Sequence, residues 1–195
     1  MVTNRRLLTK DQDDFFPTPE WCTEALFSVE TFDGSIWEPA CGDGAIVKVV
    51  QKYMNIGEPL IATDLNDHGY GIAGVDFLKS NIRVDNIITN PPYNIANEFT
   101  EHALDCASKK VALLVRLAFL EGQDRFNTIF DVTPPARVWV FSERITMYKK
   151  YAEDKSGSGT TAYAWVVWDS EHTTETELRW IKPGFKPKEK KNGRR

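Results

Sequence analysis

The sequence predicts one α/β domain built on a doubly wound, mostly parallel seven-stranded sheet. The chain has 195 residues, of which 42% are hydrophobic and 27% charged, as expected for a single globular domain. Apolar, β-rich runs alternate with helical patterns, which is typical of parallel strands joined by helices. The last two runs have no helical pattern between them, so we expect an antiparallel pair at one edge of the sheet.

Seven segments have the pattern of strands, rich in branched and aromatic residues and bounded by turn residues. They are "GSIWEP" (34–39), "PLIATDL" (59–65), "GIAGVDF" (71–77), "DNIITN" (85–90), "KVALLVRL" (110–117), "ARVWVFS" (136–142) and "TAYAWVVWD" (161–169). Helical periodicity covers 19–29, 44–54, 95–107 and about 119–131. Sheets of this kind bind ligands at the carboxyl ends of their strands, near the point where strand order reverses.

Composition limits the cell compartment and the partners. No run approaches the roughly 18 apolar residues that span a bilayer, and the start "MVTNRRLLTKDQDD" lacks the apolar stretch of a signal peptide. The three cysteines, Cys22, Cys41 and Cys106, form neither a disulfide framework nor a zinc pattern. We therefore expect a cytoplasmic protein with no metal site and no membrane partner.

Charge is distributed unevenly along the chain. The net charge is −4, but the segment from Lys182 onward, "KPGFKPKEKKNGRR", carries +6, so the preceding 181 residues carry −10. This Pro-, Gly- and Lys-rich segment predicts a flexible arm. It serves either as a solubilising tail or as a nucleic-acid contact.

A glycine loop follows the first predicted strand, in "WEPACGDGAIVKVV". Gly42 and Gly44 open the turn into the next helix, where the backbone can approach a ligand closely. Val47 stands where a dinucleotide fingerprint requires a third glycine. Glu38 and Asp43 disfavour an anionic ligand. The loop therefore favours a ligand that carries an amine or another positive charge.

Two further carboxylates end the next two predicted strands. Asp64 comes 20 residues after Gly44, where an acidic residue would hold a ribose diol. Asp76 ends the third predicted strand, in "GVDF". Any one of these carboxylates could be a helix cap. Carboxylates at successive strand ends around a glycine loop favour a ligand site.

The segment "IITNPPYN" (87–94) predicts a rigid corner. Proline donates no backbone hydrogen bond and restricts the preceding residue to extended geometry. The strand should therefore end at Thr89 and leave Asn90, Pro91, Pro92 and Tyr93 as a stiff corner at a carboxyl strand end. Alone, this corner could be a strand-terminating turn, but the glycine loop and the carboxylates upstream favour a functional site.

The motifs "EPACGDG", "ATDL", "GVDFL" and "NPPY", in that order, resemble those of the S-adenosylmethionine-dependent adenine-N6 DNA methyltransferases. The likeness is greatest to small phage-type and orphan bacterial enzymes. It extends upstream to "DFFPTPEW" (14–21) and downstream to "RITMYKK" and "TAYAWVVWD", and so covers about residues 14 to 182.

This resemblance implies a Rossmann-like methyltransferase fold, S-adenosylmethionine as the cofactor, and DNA as the partner in a bacterial or phage-infected cell. It divides the chain into an N-terminal arm (1–13), a catalytic domain (14–182) and a basic flexible tail (183–195). Larger family members append a target-recognition domain, and no separate one is visible here.

The resemblance also implies which residues contact the cofactor. They are Thr18 and Pro19 at its methionine part, Glu38, Pro39, Ala40, Cys41, Gly42 and Gly44 at its amino-acid moiety, Asp64 at the ribose hydroxyls, Asp76 and Phe77 at the adenine, and Leu65 as a further cofactor residue.

The corner would act on the target base. The exocyclic amino group of adenine is a poor nucleophile, because its lone pair is delocalised into the ring. The side-chain oxygen of Asn90 and the carbonyl of Pro91 would accept its hydrogen bonds, held rigid by Pro91 and Pro92. Tyr93 would stack on the base, worth about 1–3 kcal/mol. Such a base must be flipped out of the duplex or already single-stranded.

Candidate DNA contacts lie further along the chain. Phe141 or Tyr148 could form a second aromatic wall, or could be core or edge-strand aromatics, and Arg144 and Lys149 stand beside them. The segment "KKYAEDKSGSGTT" has the composition of a mobile loop, which could close over DNA or have no such role.

Three alternatives stay open. An RNA adenine-N6 methyltransferase would use the same motifs. Protein glutamine-N5 methyltransferases use the same corner, but they usually carry an N-terminal helical domain, and 13 residues precede "DFFPTP". A catalytically silent partner subunit with the same fold would not need an intact corner and an intact glycine loop.

Overall fold

The structure is a computed structural model that describes residues 15–148 and 161–187. Its strands are β1 (Ile36–Glu38), β2 (Leu60–Asp64), β3 (Ile72–Ala73), β4 (Val84–Thr89), β5 (Ala107–Arg116), β6 (Arg137–Phe141), β7 (Tyr163–Asp169) and β8 (Glu177–Ile181). Its helices are α1 (Glu20–Phe27), α2 (Ala45–Tyr53) and α3 (Ala96–Cys106), and short helical turns lie at Phe77–Lys79, Tyr93–Ile95, Leu117–Leu120, Gln123–Arg125 and Phe126–Phe130. No helix within these two ranges is long and apolar enough to cross a membrane.

All eight strands form one sheet in the order β3-β2-β1-β4-β5-β7-β6-β8. Strands β1 to β5 are parallel, β7 is antiparallel to both of its neighbours, and β6 pairs in parallel with β8. Every strand except β7 therefore ends at the same edge, which we call the carboxyl edge. Strand order reverses at β1, which lies between β2 and β4, so a ligand crevice is expected there.

Apolar packing covers both faces of the sheet, which confirms the doubly wound prediction. On one face α1 and α2 pack through Trp21, Leu26 and Ile46 against strand residues that include Trp165. On the other face α3 packs through Phe99 and Ala103. Both helix layers thus bury their apolar side chains against the buried apolar residues of the central strands.

The structure differs from the sequence prediction at the outer strands. Strand β8 was not predicted, because in "ELRWI" only Ile181 is buried, while Leu178 and Trp180 remain exposed at the sheet edge. The antiparallel pair of β6 and β7 therefore lies one strand inside the edge. Strand β3 has two residues, so Asp76 does not end it but precedes the turn Phe77–Lys79.

The helix predicted over about 119–131 is also replaced, in this case by short turns. Gly122 has a φ of +115°, which an α-helix cannot accommodate, and it separates the turn Leu117–Leu120 from those that follow. Arg125 ties the segment together by donating to the carbonyl of Glu121 (2.7 Å) and to Oδ1 of Asn97 (2.7 Å).

Candidate active site

A cavity of about 530 Å³ opens at the carboxyl edge, where β1, β2 and β4 end. Its wall contains residues from the motifs "DFFPTPEW", "EPACGDG", "ATDL", "GVDFL" and "NPPY", but none of the described residues of "RITMYKK" or "TAYAWVVWD". The predicted site residues that line it are Thr18, Pro39, Ala40, Cys41, Asp64, Leu65, Asp76, Phe77, Asn90, Pro91, Pro92 and Tyr93. The fold therefore brings the predicted cofactor residues and the rigid corner into one wall.

The glycine loop packs so closely against the segment before α1 that a side chain would not fit. Gly42 has a φ of +53°, and a Cβ added to it would lie 2.2 Å from the Phe15 ring. Gly44 has a φ of +81° and a similar clash with the Tyr70 ring, 2.6 Å away. Neither glycine lines the cavity itself. Their bare backbone allows the loop to turn beneath Phe15, which does line it.

Asp64 fastens the end of β2 to the glycine loop. One carboxylate oxygen accepts the backbone N–H of Gly42 (2.9 Å), and the other accepts that of Asn66 (2.9 Å). The carboxylate therefore holds backbone groups, as a cap would, and also lines the cavity. Each oxygen has a second lone pair, so a ligand hydroxyl could still donate to it.

Asp76 and Phe77 lie on the far side of the same wall. The Asp76 carboxylate accepts from Lys79 Nζ at 2.6 Å. The Phe77 ring is buried against Trp37 and Phe99, with centroid distances of 5.0 and 4.4 Å. A rigid aromatic edge beside a carboxylate suits a planar, polar heterocycle.

Glu38 bridges β1 and β4 at the point where strand order reverses. It is 1% exposed, and its Oε1 accepts the Thr89 hydroxyl at 2.5 Å. Its Oε2 is buried and has no partner among the described residues. Burial raises the pKa of this carboxyl well above its usual value, against the opposing effect of the Thr89 hydrogen bond. Glu38 does not line the cavity, but the next two residues, Pro39 and Ala40, do.

Cys41 is a neutral packing residue in this wall. Burial, together with the nearby carboxylates of Glu38 and Asp64, raises the pKa of its thiol to about 12. Its sulfur lies 3.5 Å from the Tyr70 carbonyl. A thiol that keeps its proton at neutral pH is a poor nucleophile.

Asn90 follows β4, which ends at Thr89 as predicted. Its Nδ2 donates to the Thr18 hydroxyl at 3.0 Å and lies 3.8 Å from the Met147 sulfur. Its Oδ1 is buried and has no partner in the part of the chain that the structure describes. The corner thus presents an unused acceptor at the carboxyl end of a central strand.

Tyr93 forms an aromatic wall next to Asn90. The guanidinium of Arg116 lies 4.3 Å from the ring centroid, within cation–π distance. The hydroxyl donates to the Met147 sulfur at 3.3 Å. Burial raises the pKa of Tyr93 above its usual value, so this phenol stays protonated and presents an aromatic ring and an O–H donor.

Several predicted residues lie outside the cavity. Phe141 packs edge-on to Trp21 in the core, with the ring centroids 5.5 Å apart. Arg144 and Tyr148 are exposed, Pro19 caps α1, and none of these residues lines the cavity. Lys149 lies outside the described residues. Phe141 is therefore a core aromatic, which was the alternative for it, and the further aromatic surface of the cavity comes from other rings.

Phe15 and Phe16 provide that aromatic surface. Phe15 stacks on His68 at 4.3 Å, and Phe16 lies 6.3 Å from the Tyr93 ring. Two adjacent aromatics in "DFFPTPEW" were an available sequence signal. Met147 had no such signal, because its position depends on how the chain after β6 returns to the corner.

Comparison with known proteins establishes the fold. No protein-family model and no curated protein matches this chain. The modification subunit assigned to a type I restriction enzyme of Vibrio vulnificus matches with a TM-score of 0.61 and 14% identity, over 86% of this chain and 47% of that one.

Two other solved structures extend this likeness. A protein of Listeria monocytogenes, assigned to the class I S-adenosylmethionine-dependent methyltransferases, matches with a TM-score of 0.57 and 14% identity over 91% of this chain and 68% of that one. A protein of Pyrococcus horikoshii, assigned as an RNA methyltransferase, matches with a TM-score of 0.56 and 14% identity over 80% of this chain and 86% of that one. The chain thus has the Rossmann-like methyltransferase fold and spans about half the length of the Vibrio subunit.

Proposed function

We propose that this protein transfers a methyl group from S-adenosylmethionine to the exocyclic N6 of adenine in DNA. The target base would be flipped out of the duplex or already single-stranded. The observation that carries the proposal is the buried, unpartnered Oδ1 of Asn90 at a rigid corner in the cavity wall. Buried acceptors are nearly always paired, so an unpaired one at a strand end points to a ligand donor.

The residues around the cavity fit this cofactor. Its volume lies in the roughly 300–1,000 Å³ range of small-molecule sites. The carboxylates of Asp64 and Asp76 line it, and the buried Oε2 of Glu38, which has no partner among the described residues, belongs to the residue that precedes Pro39 and Ala40 in its wall. When bound, S-adenosylmethionine supplies a methyl group on a positively charged sulfonium, which acidic surroundings favour.

The corner supplies the substrate side of the site. Asn90 Oδ1 and the Pro91 carbonyl would accept the two hydrogens of the adenine amino group. This would draw the nitrogen towards tetrahedral geometry and return its lone pair from the ring. Pro91 and Pro92 fix both acceptors before the base arrives, so little reorganisation accompanies the developing charge. The Tyr93 ring would stack on the base and align it.

A DNA substrate is favoured by the ordered motifs. A nucleic-acid substrate is also consistent with the fold being used by a protein assigned as a restriction-enzyme modification subunit and by one assigned as an RNA methyltransferase. An adenine in RNA would present the same amino group, and a protein glutamine would present an amide nitrogen to the same acceptors. These alternatives are outcomes of the test that follows.

The test is to incubate the protein with methyl-labelled S-adenosylmethionine and, separately, with DNA, RNA and protein extract. Digestion and mass spectrometry then identify the modified residue. We expect N6-methyladenine from DNA, and its loss with Asn90→Ala as the matched control. N6-methyladenine from RNA alone, or N5-methylglutamine from protein, would replace the DNA assignment. No label in any acceptor would indicate a catalytically silent subunit.

A further inference from the structure

We propose that Thr18 and Met147 are positioning residues that orient the side-chain amide of Asn90, so that its oxygen is the end left for the substrate. The proposal rests on the proposed function, in which that oxygen accepts from the target amino group. Motif resemblance places Thr18 on the cofactor, and it assigns no role to Met147.

An asparagine amide can be placed in two nearly isosteric ways, and only one of them suits this chemistry. An amide with its oxygen towards the substrate accepts from an amino group, whereas the flipped amide offers N–H donors and repels it. A rotation about the last side-chain bond of Asn90 would therefore remove the acceptor without moving the backbone. Some feature of the protein must select the productive orientation.

The neighbours of Nδ2 make that selection. Thr18 Oγ1 lies 3.0 Å from it, and Met147 Sδ lies 3.8 Å from it. A hydroxyl can accept or donate, but a thioether sulfur only accepts. A flipped amide would direct its oxygen towards the sulfur lone pairs and lose that contact. Nδ2 thus has an acceptor for each of its two N–H groups. The amide atom that has no hydrogen-bond partner among the described residues is Oδ1.

The two positioning residues come from opposite sides of the corner. Thr18 is 6% exposed and precedes α1, while Met147 follows β6, two residues after the buried Ile145. The Met147 sulfur also accepts the Tyr93 hydroxyl at 3.3 Å, so one thioether contacts both functional side chains of the corner. The acceptor and the stacking ring are therefore fixed relative to each other.

A double-mutant cycle separates this role from a contact of Thr18 with the cofactor. Thr18→Val keeps the shape and removes the hydroxyl, and we expect kcat to fall about 10- to 100-fold, as for a misplaced catalytic group. Thr18→Ser should restore kcat to within about threefold of the wild type, since one hydrogen bond is retained. Met147→Leu should lower kcat roughly 2- to 10-fold, the effect of losing one ordinary hydrogen bond.

The decisive comparison is made in the Asn90→Ala background. If Thr18 acts through Asn90, Thr18→Val adds no further loss of kcat there, and the Kd of S-adenosylmethionine measured by calorimetry is unchanged in both backgrounds. If Thr18→Val instead raises that Kd and lowers kcat equally in both backgrounds, Thr18 is a cofactor residue and the proposal is wrong.

A second readout needs no activity, so it also separates this proposal from the proposed function. In nitrogen-15 NMR spectra, the side-chain NH₂ resonances of Asn90, identified by their loss in Asn90→Ala, should exchange slowly with water in the wild type. They should exchange faster in Thr18→Val and again slowly in Thr18→Ser. Rapid exchange in the wild type would overturn the orientation argument, even in a protein that methylates DNA. Protected resonances in a protein without methyl transfer would uphold the orientation and reject only the function.

Discussion

Two side-chain oxygens at the carboxyl edge, Oε2 of Glu38 and Oδ1 of Asn90, are buried without partners among the described residues. Leaving a buried acceptor unpaired costs about 1–3 kcal/mol. Both oxygens lie beside the cavity at the carboxyl edge, at the ends of β1 and β4, which flank the point of strand reversal. A ligand donor that reached Oδ1 of Asn90 would recover the lost energy on binding.

Glu38 should make the stability of the cofactor-free protein depend on pH. Its folded pKa is raised by burial, while an unfolded glutamate titrates at about 4.3. Between these two values the unfolded state releases the proton and the folded state keeps it. The contribution of Glu38 to the free energy of unfolding is therefore full below about pH 4.3 and falls as the pH rises towards the folded pKa.

Urea denaturation from about pH 5 to about pH 8 measures this effect against Glu38→Gln, which cannot titrate. The wild type should lose stability relative to the variant as the pH rises. Parallel pH profiles for the two proteins would show that Glu38 ionises normally in the folded state.

Asp64 should matter for the cofactor in two separable ways. Asp64→Ala removes the acceptor for the Gly42 N–H as well as the carboxylate, and it should weaken S-adenosylmethionine binding by about 1–3 kcal/mol. Asp64→Asn keeps an acceptor for that N–H, so it should lose less. Calorimetry on both variants makes the comparison. An unchanged affinity of Asp64→Ala for S-adenosylmethionine would rule out the expected contact between Asp64 and the ribose.

At the scale of elements, the strands that the sequence predicts well are those whose side chains are buried on both faces of the sheet. Strand β7 is an apolar run as far as Asp169, and β4 has the apolar pair Ile87 and Ile88 near its end, before the Asn-Pro corner, so where each strand ends follows from the sequence. Strand β8 is an exposed edge strand with one buried residue, and nothing in its own sequence indicates that it pairs with β6. The turn Phe77–Lys79 lies where a strand end was predicted. The Phe77 ring packs against Trp37 of β1 and Phe99 of α3, and these contacts are not visible in the local sequence.

A buried ion cluster links the segment that follows α1 to the amino-terminal end of β6. Glu30 is 5% exposed and accepts from Trp139 Nε1 (2.8 Å), Lys110 Nζ (3.2 Å) and the Arg137 guanidinium. Arg137 also donates to Asp169 at 2.7 Å. The cluster therefore joins the end of α1 to three neighbouring strands.

Removing Glu30 should destabilise the fold, because Lys110, Arg137 and the indole N–H of Trp139 would lose the acceptor that they share. We expect Glu30→Ala to lower the free energy of unfolding by about 3–5 kcal/mol, measured by urea denaturation. Glu20→Ala is the matched control, since the pair that Glu20 forms with Lys52 is exposed and worth about 0–1 kcal/mol. Equal small losses in both variants would show that the cluster does not stabilise the fold.

At the scale of the molecule, the start of the basic tail is part of the folded body. One carboxylate oxygen of Glu143 accepts the backbone N–H groups of Gly184, Phe185 and Lys186, at 2.7, 3.1 and 3.3 Å. These bonds, that of Gly184 foremost, hold the pKa of Glu143 below its usual value. The tail predicted from residue 183 therefore has its first residues attached beside the loop that carries Met147, at the carboxyl edge.

Truncation after Pro187 tests the remaining tail without disturbing this attachment. Residues 188–195 hold five basic residues and one acidic residue, on a chain whose first 181 residues carry −10. If about three of them contact phosphates, the slope of log affinity for duplex DNA against log salt should flatten by about 2–3 units. Cofactor affinity and the modified sequence context should not change, because phosphate contacts carry no base information.

The control for this truncation is a full-length variant with the five basic residues replaced by neutral ones, which should behave like the truncated protein. An unchanged salt slope would make the tail a solubilising segment. DNA would then be held by the loops around Arg116, Arg125 and Lys149. Of these, Arg125 is already fixed by internal hydrogen bonds and Arg116 lies on Tyr93.

The site was predictable to the extent that its residues follow one another along the chain. Local sequence patterns at strand ends mark the glycine loop, the carboxylates and the Asn-Pro-Pro-Tyr corner. The parallel sheet then brings these strand ends together at one edge. The orientation of Asn90 was not predictable, because it depends on Thr18 and Met147, which are 72 and 57 residues away in sequence. Such contacts arise only from the complete topology.

The most direct test of the central claim is the single-turnover rate of Asn90→Ala on an adenine-containing single-stranded oligonucleotide, measured with the calorimetric Kd of S-adenosylmethionine. Because Oδ1 has no partner among the described residues, its removal should leave cofactor affinity nearly unchanged. Loss of the hydrogen bond from Nδ2 to the Thr18 hydroxyl should lower the free energy of unfolding by about 0.5–1.5 kcal/mol. The rate should fall about 10²–10³-fold, as when one preorganised transition-state hydrogen bond is lost. A variant that methylates adenine at a rate near that of the wild type would show that Asn90 is only a turn residue, and the proposed mechanism would be wrong.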